Sequence, residues 1–285
     1  MIYIFGIQIR KSLKTKPRNI VLKESGITST KRTPKIIASL TTFPERINTV
    51  EKTIKTILNQ TLKPDEVVLW LAKSQFPKRE EELPTELLKL KEFGLQIKWC
   101  HDIKSYKKLI PALYEYKHDI IITFDDDIYY DRDIIECLYK SYLNEPDYIH
   151  TNRAHRIYVK QNTIIPKPNS DVYWQDYSKA DFKNTIIGCG GVLYPPNCFC
   201  DEVFNEKAFK DILPSQDDVW FWAMAVLSKR KIKVVKAYSM QIQNVEGSQK
   251  FGLCKINNKN SNGKNSFKKI SQKYPELIKT IKEEK

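Results

Sequence analysis

Three observations in this 285-residue chain predict an α/β fold with a mostly parallel central sheet flanked by helices. Between Lys35 and Phe124, short β-prone apolar runs alternate with segments of helical period. The last of those runs, DIIITF, stops abruptly at three carboxylates, Asp125, Asp126 and Asp127. Hydrophobic residues make up 41% of the chain, enough to bury a sizeable core.

The first strand is KIIASLTTF, Lys35 to Phe43. Pro44 then opens a helix, since proline is tolerated in a first helical turn. Ile47, Val50, Ile54, Ile57 and Leu58 follow at spacings that build one apolar face. The second strand is EVVLWL, Glu66 to Leu71. A polar, proline-containing segment and a helix near Thr85 to Phe93 lead to the third strand, LQIKWC. Another helix near Tyr106 to Tyr116 leads to the fourth strand, DIIITF. Beyond the acidic run the pattern predicts a helix from Asp133 to Leu143, then a strand pair or edge in DYIHTNRAHRIYV. Residues 160–185, rich in Pro, Asn, Asp and aromatics, read as a long loop. IIGCGGVLYPP, a helix near Phe204 to Phe209, an apolar helix beginning at Asp217 and Asp218, and a strand IKVVKAY complete the series. There is no internal repeat.

The net charge of +14 is unevenly distributed. Residues 8–35 carry nine Lys or Arg against one Glu, residues 248–285 carry ten Lys against three Glu, and the middle is nearly neutral. The expected organisation is a basic arm over 1–34, a catalytic domain over 35–247 with halves 35–130 and 131–247, and a basic tail over 248–285. The charged ends read either as solvated tails or as a polybasic surface for anionic lipid, at about 1 kcal/mol per well-placed cation. No nucleic-acid module pattern occurs, so no nucleic-acid partner is expected. No apolar stretch approaches the ~20 residues of a membrane span. The N-terminal run MIYIFGIQIRK has its basic residues after the apolar part and no long apolar core, unlike a signal peptide. Six cysteines without a CxxC pair, and only four histidines, argue against structural zinc and for free thiols in a cytoplasmic setting.

In sheets of this kind, ligands bind beyond the carboxyl ends of the strands. Asp125 to Asp127, Thr41 and Thr42, and Asp102 all fall at such ends. Adjacent carboxylates repel unless a cation is near. A hard divalent cation prefers oxygen ligands, and a phosphate-bearing substrate can complete its shell. The structural alternative is a strand-end turn with solvated aspartates. A second pair, Asp217 and Asp218, precedes Val-Trp-Phe-Trp. Helix capping accounts for one of the two better than for both. A carboxylate beside aromatic walls suits a general base for a hydroxyl.

The strand–helix order, the acidic run, GCGGVLYPP and SQDDVWFW, over roughly residues 35–240, resemble glycosyltransferases of the GT-A fold. The likeness is to bacterial family-2-like enzymes that build surface polysaccharide, capsule or lipopolysaccharide. The resemblance implies a GT-A-like nucleotide-binding domain with Mn²⁺ or Mg²⁺ as cofactor. Asp127 would ligate the metal on the nucleotide diphosphate, and Asp125 would approach the ribose or the metal's waters. Asp126 joins them in the nucleotide-sugar site. Asp218 would take the acceptor proton with Asp217 in support, and Gly190 and Gly191 would let the backbone approach the donor sugar or acceptor. The implied donor is a UDP-sugar, the acceptor a glycan or lipid-linked glycan, and the outcome inversion, at the inner face of a cytoplasmic membrane.

Thr41, Arg46, Asp102 and either Lys107 or Lys108 are further candidates for the nucleotide. Trp174, with Tyr173 and Tyr177, is a candidate sugar platform or a packing anchor. The chain departs from the family pattern in three places. TTFPER replaces a Pro-Thr-Tyr-Asn type of loop, LWLAKS replaces an Asp-rich turn, and no histidine follows His155 to serve as an extra metal ligand. Other metal-dependent diphosphate enzymes remain as alternatives. A nucleotidyltransferase usually has a Gly-rich basic loop that is missing here. A haloacid-dehalogenase-like phosphatase wants Thr or Val where Tyr129 stands, and its motif after the first strand. A non-catalytic polybasic binding protein would leave both acidic clusters without a role.

Overall fold

The apolar run after Lys35 forms β3 (Ile36–Thr41), whose first five residues are fully buried. A strand covered on both faces is expected to be continuously apolar. The computed structural model describes residues 2–4, 7–9, 20–167, 179–235, 242–251 and 262–284. A short antiparallel pair, β1 (Ile2–Ile4) and β2 (Ile7–Ile9), precedes the domain. β4 (Glu66–Ala72), β5 (Leu95–Cys100) and β6 (Ile120–Phe124) join β3 in parallel, in the spatial order β5-β4-β3-β6. The crossovers carry α1 (Val50–Leu58), α2 (Thr85–Leu88) and α3 (Ile110–Glu115). These helices are shorter than the apolar periods suggest. Tighter 3-10 turns take up Pro44–Arg46, Lys89–Phe93 and Lys104–Lys108.

After β6 the sheet becomes mixed. α4 (Ile134–Asn144) leads to β7 (Ile149–Thr151), β8 (Ala154–Lys160) and β9 (Thr163–Pro166). β10 (Asn184–Ile186), β11 (Val192–Tyr194) and β12 (Ile232–Val234) follow. The seven-stranded sheet runs β12-β7-β11-β6-β3-β4-β5. β11 is antiparallel to both β6 and β7, and β12 is parallel to β7. A separate antiparallel sheet has the order β10-β8-β9. The predicted loop over 160–185 therefore contains β9 and the start of β10. The aromatic segment with Tyr173, Trp174 and Tyr177 lies outside the described residues.

α5 (Glu206–Ile212) precedes α6 (Asp217–Leu227), in which Trp220, Phe221 and Trp222 are completely buried. A helix apolar on every side must be covered on every side. α7 (Asn262–Lys273) and α8 (Glu276–Glu283) provide part of that cover. Phe267 packs edge-on against Trp222 at 5.4 Å between centroids, and Tyr274 against Trp220 at 6.0 Å. Leu277 and Ile281 are buried as well. The expected basic tail is thus corrected over its described part. Phe267, Ile270, Tyr274, Leu277 and Ile281 recur at helical spacing and face the core, while Lys268, Lys269 and Lys273 face outward.

The expected N-terminal arm is corrected in the same way over 20–34. Gly26 N–H donates to the Phe93 carbonyl at 2.8 Å and Thr28 N–H to the Pro64 carbonyl at 2.9 Å. Arg32 pairs with Asp65 at 3.0 Å. Among the described residues no helix is long and apolar enough to cross a membrane.

Truncating a fully buried leucine leaves a cavity and costs about 2–5 kcal/mol. Leu277→Ala is therefore expected to lower urea stability by that amount. A loss within about 0.5 kcal/mol, the size of an ordinary surface substitution, would show that α8 is not part of the core.

Candidate active site

The three carboxylates after β6 coexist because each is served by a different set of donors. Asp126 turns inward and is 6% exposed. It accepts hydrogen bonds from Thr42 Oγ1 and Arg46 Nη1, both at 2.5 Å, and its carbonyl accepts from Thr53 Oγ1 at 3.0 Å. Asp127 Oδ2 lies 3.0 Å from Arg46 Nη2 and accepts from Gln249 Nε2 at 2.9 Å. The Asp127 carbonyl accepts from Val245 N–H at 2.8 Å, so residues near 245–249 lie against the acidic run. Asp125 Oδ1 is 3.0 Å from Lys108 Nζ, and Asp125 N–H donates to the Tyr130 hydroxyl at 2.8 Å.

The second acidic pair converges on the same lysine. Asp217, in the first turn of α6, accepts from Ser105 Oγ at 2.8 Å through Oδ1. Its Oδ2 lies 2.8 Å from Lys108 Nζ, an ion contact whose angle falls outside hydrogen-bond geometry. Asp218 Oδ1 is 3.5 Å from the same ammonium, and Asp218 Oδ2 accepts from Gly188 N–H at 2.8 Å. A Cβ at Gly188 would stand 2.7 Å from Lys108 Nζ, 2.8 Å from Asp218 Oδ1 and 3.4 Å from Asp125 Oδ1. Only a glycine fits between these three groups without displacing one of them.

Charge in the cluster is unbalanced, with Asp125, Asp126, Asp127, Asp217 and Asp218 facing Arg46 and Lys108. Burial opposes the charge on Lys108, but Asp125, Asp217 and Asp218 outweigh it and hold the pKa well above the ordinary lysine value. Loss of water pushes Asp127 up to about 6, with Asp125 adding repulsion and Arg46 opposing. Asp218 is pushed up to about 7, first by loss of water and then by Asp217 and Asp125, against the pull of Lys108. Its side chain is nevertheless 31% exposed, so a hydroxyl from solvent can reach it. A carboxylate poised near neutrality and open to solvent can act as a general base.

Among the described residues, no group of three or more His, Cys, Asp and Glu side chains has the arrangement to hold a metal ion by itself. The donor set still fits a hard cation in part. The contacts of Asp125 fall on Oδ1 and those of Asp127 on Oδ2, so each retains an oxygen without a hydrogen-bond partner among the described residues. Two carboxylate oxygens in a cluster of excess negative charge suit a divalent ion whose remaining ligands are phosphate and water.

The other candidates separate. Arg46 is 7% exposed and is consumed as the counter-ion of Asp126 and Asp127 instead of reaching outward to a nucleotide. Thr41 donates its hydroxyl to the Trp70 carbonyl at 2.7 Å. Lys107 is 1% exposed and pairs with Asp102 at 2.6 Å, away from the acidic cluster. Asp102 also accepts from Lys104 N–H at 2.9 Å. Gly190 is packed so that a Cβ would meet Arg153 Cβ at 2.6 Å. Gly191, at φ 77°, faces Ile134 and Leu138. Both glycines are explained by turn geometry and packing. Gly188, the first glycine of GCGG, is the one at the acidic cluster. Sequence reasoning missed Gly188, Ser105 and Gln249. It left Lys107 and Lys108 as equals because consecutive side chains of one turn diverge only once the turn is seen.

Compared with models of known protein families the chain matches none, and no curated protein matches it significantly.

A carboxyl whose folded-state pKa exceeds its unfolded value of about 4 binds protons more tightly when folded, so its contribution to stability falls as pH rises. For Asp127 and Asp218 the loss spans the range from about pH 4 through their values of about 6 and about 7. His150 acts oppositely, because burial lowers it to about 4 and stability is gained as pH rises through its unfolded value. The diagnostic is therefore a difference. Without divalent cation, the Tm of Asp127→Asn and of Asp218→Asn is expected to gain on wild type between pH 5 and pH 8. A constant or shrinking difference would contradict the raised values.

Proposed function

We propose that this chain is a metal-dependent glycosyltransferase of GT-A type. It would move a sugar from a nucleotide diphosphate donor, most consistently a UDP-sugar, to a hydroxyl of a glycan or glycolipid acceptor of bacterial surface polysaccharide. One observation carries the reading. The acidic run after β6 and the acidic pair opening α6, 92 positions apart between Asp125 and Asp217, meet at one ammonium and one glycine. The mixed sheet that presents β6 at its centre supports the same reading.

Glycosyl transfer breaks the bond between an anomeric carbon and a diphosphate oxygen, and negative charge grows on the leaving phosphate. Asp125 and Asp127 are the protein ligands proposed for a Mn²⁺ or Mg²⁺ ion, which when bound stabilises that charge as a Lewis acid. The protein's own task is proton removal. Asp218 accepts the proton of the acceptor hydroxyl at a carboxyl oxygen, and the Gly188 N–H fixes its orientation. Asp217, held by Ser105, anchors the first turn of α6 so that Asp218 keeps its place. Arg46 offsets repulsion within the acidic run so that Asp127 stays close to Asp125. A base that removes a proton and forms no bond to the sugar leaves one displacement, hence inversion.

The outward lysines of α7 extend the proposal to contact with an anionic surface, such as the membrane carrying a lipid-linked acceptor. Such binding would be salt-sensitive, retained on anionic vesicles and absent on neutral ones. Equal retention on both would remove this part.

The decisive test is a thermal-shift series with UDP, GDP, CMP and their sugars, with and without Mn²⁺. A ligand that binds only the folded state raises Tm in proportion to the logarithm of its concentration over Kd. A Mn²⁺-dependent shift with one nucleotide is expected, and its loss in Asp127→Asn. Asp218→Asn is expected to keep that shift while turnover drops about 10²–10⁴-fold. Well-folded protein that shifts with no nucleotide would overturn the transferase reading.

A further inference from the structure

Lys108 is the most heavily used cation in the described structure. It is 5% exposed and lies within 3.5 Å of carboxylates from two acidic motifs. It does not sit on the same element as either motif. It ends the 3-10 turn Lys104–Lys108, whose Ser105 also reaches Asp217. Its own backbone carbonyl accepts a hydrogen bond at 2.6 Å from Ser39 of β3. The sheet therefore fixes the Lys108 backbone, and the carboxylates of Asp125, Asp217 and Asp218 hold its ammonium. A buried ammonium without partners would lose its proton, and three carboxylates hold this one charged.

We infer that Lys108 is a positioning residue: a resident counter-ion that ties Asp125 to the Asp217–Asp218 pair and competes with a divalent cation for Asp125. The inference rests on the transferase reading for its purpose, but its geometry stands on the contacts alone. Lys108 holds Asp125 Oδ1 and leaves the other oxygen open to a metal, so the competition is one of charge. A cation bound through Asp125 and Lys108 would repel each other, so each weakens the other's hold. The charge that Asp125 withdraws from Lys108 is then compensated only by Asp217 and Asp218. Occupation of the donor side is in this way felt by the carboxylate proposed as base, through one side chain and with no rearrangement of the backbone. Gly188 is what makes the arrangement compact, since any Cβ there would intrude on Lys108 and Asp218 together.

The consequence is opposite in sign to that of a residue that merely supports the fold. Removing Lys108 should lower turnover yet tighten the binding of Mn²⁺ alone. Deleting one unit charge a few ångströms from a divalent ion changes affinity by about tenfold even at solvent-like screening. Lys108→Gln is therefore expected to bind Mn²⁺ about tenfold more tightly than wild type by titration calorimetry, without nucleotide. Lys35→Gln, the same charge change at the amino end of β3, should leave Mn²⁺ affinity unchanged. A Lys108→Gln protein that leaves buried carboxylates unpaired can fail to fold. Lys108→Gln/Asp217→Asn then removes the buried pair together. Mn²⁺ affinity should rise by less than in Lys108→Gln, because losing the Asp217 carboxylate offsets part of the lost ammonium, and only the ammonium touches Asp125. Unchanged or weaker Mn²⁺ binding in a folded variant overturns the inference. If wild type takes up no Mn²⁺ with or without nucleotide, the metal-dependent reading fails together with it. If wild type binds Mn²⁺ and both variants bind equally, only the role of Lys108 fails.

Discussion

The constraint on which the rest of the structure depends is the containment of five carboxylates by two buried cations. Unpaired, a buried charge costs several kcal/mol, and breaking one partner of a buried pair typically costs about 3–5 kcal/mol. Arg46 and Lys108 meet that requirement from different directions. Arg46 arrives from the loop after β3 and pins Asp126 and Asp127, with Thr42 and Thr53 completing the shell of Asp126. Lys108 arrives from the turn before α3 and serves Asp125, Asp217 and Asp218. Two crossover connections of the parallel sheet are thus committed to the site. Their 3-10 turns, which interrupt otherwise helical patterns, place those two side chains.

The compensation is incomplete. Asp127 and Asp218 retain pKa values near neutrality because loss of water outweighs the cations beside them. Structural ion-pair networks tend to satisfy their charges. Raised carboxyls that remain reachable are the groups on which a functional site is sought. Asp126 is also raised by burial, against the pull of Arg46 and Thr42, but it is enclosed by donors and only 6% exposed. Asp218 remains reachable, with a side chain 31% exposed and one backbone donor to orient it. Three adjacent aspartates after a buried strand are therefore not three copies of one function.

Much of the parallel half was legible because its signals are local. β3 to β6 are continuous apolar runs, and β6 ends where the charges begin. The antiparallel insertion of β11 between β6 and β7 was not legible, since three residues of strand carry no mark of direction or partner. Charge misled at both ends of the chain. The lysines of α7 and α8 dominate the composition there, whereas the apolar residues at helical spacing between them decide the packing. At the site, the acidic residues stood out because burying like charges together is rare. Their partners did not, because a lysine or glycine is ordinary in sequence and becomes specific only through what it touches. Lys107 and Lys108 are adjacent, yet one closes a pair with Asp102 and the other joins two acidic motifs.

α6 links the site to the far end of the chain. Its first turn carries Asp217 and Asp218, and its body is the apolar centre of one of the two hydrophobic clusters. A helix buried over Trp220 to Val226 holds its first turn steadily, which under the proposed reading is what a proton-accepting group needs. That enclosure is built in part by Phe267, Tyr274, Leu277 and Ile281 of the C-terminal helices. Residues far from the carboxylates in sequence thus pack against the helix whose first turn carries Asp218. The same helix starts at the charged cluster and is buried along its length by apolar contacts. The hydrophobic core and the electrostatic site are therefore two ends of one element, apolar burial over Trp220 to Val226 and paired carboxylates in its first turn.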